Sequence, residues 1–87
     1  MNTIVIMYDP FAMESRISLV QEGQREQVSV ASNIEELADA TVSFAYNHGT
    51  NDIRVHAPLA VYGEIKRAIE AVEKNQYNKN SLNVGVI

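Results

Sequence analysis

At 87 residues the chain is read as one domain, residues 1–87, with room for a single small core; a domain near this size removes only about 60–65% of its unfolded surface from water. Its 46% apolar and 21% charged residues are ordinary for a globular protein, while a net charge of −4, from seven basic and eleven acidic residues, argues against nucleic acid as the main partner, because phosphate neutralisation needs Lys and Arg. The lack of Cys excludes disulfides, thiolate chemistry and Cys-built zinc sites.

The first segment, Met1 to Met7, has no basic n-region, and Asp9-Pro10 breaks the apolar run early. No leader and no membrane span are expected, and the expected location is cytoplasmic. Ile4 to Tyr8 is continuously apolar, which predicts a central strand covered on both faces. Asp9-Pro10 ends it, because Pro cannot donate to a ladder. Arg16 to Val20 and Gln27 to Ala31 alternate, with Ile17 and Leu19, then Val28 and Val30, on one face. The polar loop Glu22-Gly23-Gln24-Arg25 between them is a hairpin signal.

Ser32 or Asn33 is placed to cap a helix, with Glu35 or Glu36 three residues on as in a capping box. Ile34, Leu37, Ala38, Val42 and Ala45 follow at helical spacing, and Asn47-His48-Gly49 supplies the stop. Asp52 to His56 predicts a short strand. Pro58 then opens a second helix whose apolar stripe is Leu59, Tyr62, Ile65, Ala68, Ile69 and Val72. Leu82 to Ile87 is the last strand, with Leu82, Val84 and Val86 on one face. No linker, internal repeat or low-complexity segment is visible.

An antiparallel meander followed by two right-handed crossovers predicts a two-layer α/β fold. The arrangement is βββαβαβ, a five-stranded mixed sheet of strand order 3-2-1-4-5 with two helices on one face. The other face is left bare. Alternation places Arg16, Ser18, Gln27, Ser29, Arg54, His56, Asn83 and Gly85 there. Either Val5 and Met7 or Ile4 and Ile6 must join them, which predicts a narrow apolar stripe between polar edges.

This order of elements resembles the ribonuclease H-like fold in its minimal form. The resemblance covers nearly the whole chain and is one of topology. It implies a metal-dependent nuclease reading, in which carboxylates hold two metal ions. The family pattern has an acid within the first strand, one on the first helix and one near the end of the fourth strand. In this chain the interior of the first strand has no acid, Asp9 follows at its end, Glu35, Glu36 and Asp39 lie on the first helix, and the fourth strand ends in His56. If the chain were a nuclease, Asp9, Glu36 and His56 would carry it. The plainer reading makes Asp9 a turn former and Glu35 and Glu36 helix-end residues.

His48 belongs to the helix stop, where a cation is favourable beside the dipole. His56 lies at the carboxyl end of a parallel strand, where open α/β sheets place ligands. The four glycines are isolated, so no phosphate loop is present, and no serine sits in a nucleophile turn. No cofactor and no metal site are expected. The turn from Asp9 to Glu14 carries Phe11 and Met13, which suit a contact loop.

The sequence thus predicts a small non-enzymatic cytoplasmic protein that binds another macromolecule, as a homo-oligomer, a homodimer foremost, or with a protein partner. Its size suits an accessory factor, for example from a phage or mobile element. The interaction surface would be Val5, Met7, Phe11, Met13, Arg54 and His56. The alternatives are the divergent nuclease and a small-ligand binder at the carboxyl ends of the parallel strands.

Overall fold

Three consecutive apolar residues are buried together only where both faces of a strand are covered, and Ile4, Val5 and Ile6 are all buried. In the computed structural model, which describes residues 2–87, they lie on β1 (Asn2–Asp9). The initial Met1 falls outside the described residues. The order is completed by β2 (Glu14–Gln21), β3 (Gln24–Ala31), α1 (Ile34–Asn47), β4 (Asp52–His56), α2 (Leu59–Tyr77) and β5 (Asn83–Val86). The sheet order is β3-β2-β1-β4-β5. β1 pairs antiparallel with β2 and parallel with β4, and β5 continues parallel beyond β4. The expected topology is therefore the one observed.

Side-chain alternation follows from the register. Ile4 lies beside Leu19 and Ile53, and Ile6 beside Ile17 and Val55. With Val84 they face Leu37 and Val42 of α1 and Ile65 and Ile69 of α2 in one core. Val5 and Met7 therefore take the open face. No helix among the described residues is long and apolar enough to cross a membrane.

Four local readings shift. Glu22 and Gly23 both have positive φ, at 50° and 81°, as a two-residue primed hairpin turn requires. Gln24 and Arg25, expected in the loop, thus belong to β3 and pair with Gln21 and Val20. Along β3 the register slips where Ile17 opposes Ser29 and Ser18 opposes Gln27, which leaves Val28 as an extra residue. Such a bulge changes the parity of the strand. Val28 packs against the core, while Val30 pairs with Arg16 and is exposed, so the two valines do not share a face. Leu59, expected in the stripe of α2, is 80% exposed in the first turn. Val86 follows the parity of Val84 but is exposed, unlike Val84.

The helix ends are chemically specified. Asn33 caps α1, its Oδ1 accepting from Glu36 N at 2.8 Å, and its Nδ2 reaches Glu36 Oε2 at 3.4 Å. Of the two possible caps, Asn33 is the one used. Pro58 precedes α2, and its carbonyl accepts from Tyr62 N. Asn78 ends α2 in the left-handed region, where Asn is tolerated.

One carboxylate is wholly buried. Glu73 continues the line of Ile65 and Ile69 on α2 and has 0% exposure. It accepts from Tyr46 Oη at 2.5 Å, Ser81 Oγ at 2.9 Å, Ser81 N at 3.1 Å and Leu82 N at 3.2 Å. Burial pushes its carboxyl pKa up, but these donors outweigh burial and hold it below the usual glutamate value. The bond it accepts raises the pKa of Tyr46. Tyr46 also stacks on Tyr77 at 3.7 Å between ring centroids. This cluster ties α1, α2 and the entry to β5 together.

Glu73→Ala is expected to cost about 2 kcal/mol, because the Ser81 and Leu82 N–H groups lose their acceptor. That is a fall in Tm on the order of 10 °C for a domain of this size. Because the folded pKa of Glu73 is depressed, its stabilisation is present above the unfolded value, 4.5, and is lost as pH falls through the folded one. Thermal melts from neutral pH to well below 4.5 should show a smaller acid loss in Glu73→Gln than in the parent chain. Conversely, Thr41 is fully buried on α1 with an unpaired hydroxyl. Thr41→Val removes that hydroxyl and is expected to raise stability by about 1 kcal/mol, measured by urea unfolding.

Candidate functional site

β1, β3, β4 and β5 all run the same way, so their carboxyl ends gather at one end of the sheet. That end also holds the β1–β2 turn and the starts of both helices. Asp9 builds the turn. Its Oδ1 accepts from Phe11 N at 2.9 Å and from Ala12 N at 3.2 Å, as Asp does in turns. Beyond them Met13 has φ of 52°, a left-handed conformation that costs a residue with a Cβ about 1 kcal/mol. The turn holds Phe11 98% and Met13 69% exposed. Phe11 does not fold back onto the sheet.

The other proposed surface residues lie on the open face. Val5 pairs with Ser18 and Arg54, and Met7 pairs with Arg16 and His56. Arg54 and His56 are exposed and Met7 is half-buried. Val5 is only 6% exposed, flanked by the neighbouring strands. Arg54 is held along the face. Its Nε bonds Asp52 Oδ1 at 3.1 Å, and Asp52 Oδ2 accepts from Thr3 Oγ1 at 2.9 Å. The guanidinium lies over Gly85, where a Cβ would come within 2.8 Å of it. Gly85 thus makes room for the arginine. The apolar stripe expected on this face is largely closed over.

The exposed apolar area lies instead along the end. Phe11 and Met13 stand on the β1–β2 turn, Val30 near the end of β3, Leu59 after β4, and Val86 and Ile87 at β5. Among the described residues, Tyr77 is the one exposed large apolar side chain at the opposite end. From sequence, Leu59, Val30 and Val86 were expected on the inward stripes of their elements and not at this end. Their signal was positional: each is apolar within a turn or less of a strand or helix terminus on the same end of the topology. On the helix side of this end, a cleft of 390 Å³ opens between the start of α1 and the first turns of α2.

Asp9, Glu36 and His56 are not assembled into one centre. Asp9 is engaged in its turn, Glu36 in the cap of α1 behind the sheet, and His56 stands on the open face of β4. Among the described residues no three His, Asp or Glu gather closely enough to hold a metal ion. His48 serves the end of α1, its ring stacked on Phe44 at 4.0 Å and its Nδ1 3.1 Å from the Phe44 carbonyl.

No family model matches the chain, and no curated protein matches it. A solved structure of the Aquifex aeolicus PPX-GPPA enzyme is similar over 100% of this chain, at 16% identity and a TM-score of 0.43. The chain spans about a third of that structure, 36%.

Millimolar Mg²⁺ or Mn²⁺ is expected to leave Tm unchanged. Asp9→Ala should lower stability by about 0.5–1 kcal/mol through loss of its turn bonds, equally with and without either ion. Paired thermal melts of the two proteins measure both effects.

Proposed function

We propose that the chain is a non-enzymatic binding domain of minimal ribonuclease H-like topology that acts by pairing with protein, a second copy of itself first. The observation that carries this reading is the row of exposed apolar side chains along one end of the sheet, from Val30 through Phe11 and Met13 to Leu59 and Val86. Clustered exposed apolar groups mark interaction surfaces, whereas single ones are ordinary. Phe11 and Met13 are residue types that interfaces favour. The turn that presents them accepts a left-handed Met13 rather than relaxing.

A second copy is favoured as partner by three features. The row carries no charge of its own, so two copies can meet along it without unpaired charges. The domain is small, and burial of further apolar area adds stability that its core alone does not supply. Open-face polar groups, Arg54 and His56 among them, lie beside the row as a rim. The lack of Cys suits a cytoplasmic setting.

Light scattering on the full chain at roughly 100 μM, where a micromolar dimer is mostly assembled, should give a dimer mass. Phe11→Asp combined with Leu59→Asp should give a folded monomer, because both side chains are exposed in the single chain, and its Tm, unlike the parent's, should not change with protein concentration. A monomeric parent chain would overturn self-pairing. A double variant that remains dimeric would remove the interface from this row.

A further inference from the structure

The cleft beside the apolar row has a chemistry of its own. At 390 Å³ it falls within the range of small-molecule sites. Its apolar wall includes Ala31, Ile34 and Val61, and Tyr8 and Met13 flank it at the end of the sheet. Two polar groups stand out against that wall. Ser15 is 4% exposed and lines the cleft. The second is Glu64, on α2, the one charged residue in the lining.

The charge pattern selects the ligand. No Lys, Arg or His lines the cleft. The start of α1, which would otherwise invite an anion, is already occupied: Asn33 accepts the Glu36 N–H, and Glu35 and Glu36 place two carboxylates in the first turn. An anion would meet Glu64 and no cation among the lining residues. A cation would meet Glu64 on one side and an apolar wall on the other.

We propose that this cleft binds a small primary amine with a compact apolar body, the ammonium held by Glu64 and a polar atom of the ligand or an ordered water meeting Ser15. Phe11 does not line the cleft, so this site and the pairing row are separable by mutation.

The test is a heteronuclear NMR titration of the full-length labelled chain with benzylamine, benzyl alcohol and benzoate. Benzylamine should give saturable shifts confined to the amides of Ser15, Ala31, Ile34 and Val61. Benzyl alcohol should bind roughly fivefold more weakly, the scale of one exposed charge contact, and benzoate should give no saturable shift. Glu64→Gln should remove the preference for the amine over the alcohol without changing Tm. Ser15→Val, which fills the space beside the hydroxyl, should abolish both. Absence of saturable shifts with benzylamine, shifts scattered away from the cleft, or equal binding of benzoate would each overturn the proposal. So would an amine preference that survives Glu64→Gln.

Discussion

Two crossovers in the same direction govern this molecule. Each carries the chain from one parallel strand to the next by a right-handed turn, so α1 and α2 must lie on the same side of the sheet. One face is then dry and the other wet. β1, in the middle, has to supply Ile4 and Ile6 to the dry side and still pack Val5 on the wet side. The wet side meets that demand with Ser18 beside Val5 and with Arg54 laid flat over Gly85. The apolar groups left without cover lie at the end where β1, β3, β4 and β5 finish. The exposed apolar side chains thus lie at the end of the sheet rather than across its open face.

The layer of helices is fastened by an unusual group. Burying a carboxylate is costly unless donors surround it, and Glu73 has donors from α1 and from the segment leading into β5. Hydrophobic contact can bring α2 against the sheet at several rotations. Four directional bonds onto one side chain admit few of them. Glu73 therefore contributes position, with stability as a second effect, and it fixes where β5 begins.

Most of this architecture was legible in the sequence because periodicity and element order report on it directly. The continuous run at Ile4 to Tyr8 marked the centre of the sheet, and Ser32 or Asn33, with Glu35 or Glu36, marked the start of α1. Parity was less legible. A bulge at Val28 leaves the pattern of alternating residues intact while reversing what it means, so Val30 read as core and stands in solvent. Glu73 escaped notice because acids on a helix read as solvent-facing. Its place four residues after Ile69 and eight after Ile65 was the available sign. The candidate surface was half legible. Phe11 and Met13 stood out as large residues in a turn, whereas Val86 and Leu59 fit the apolar spacing of their own elements and so read as core.

The two margins of the sheet differ in a way that bears on how it can be extended. β3 is long, but it carries Arg25 and Glu26 and is bent by its bulge, features that discourage a further strand. β5 is short, has no charged residue, and pairs with β4 in unbroken register from Asn83 to Val86. The two margins therefore limit strand addition by different means, charge and a bulge at β3 and brevity at β5.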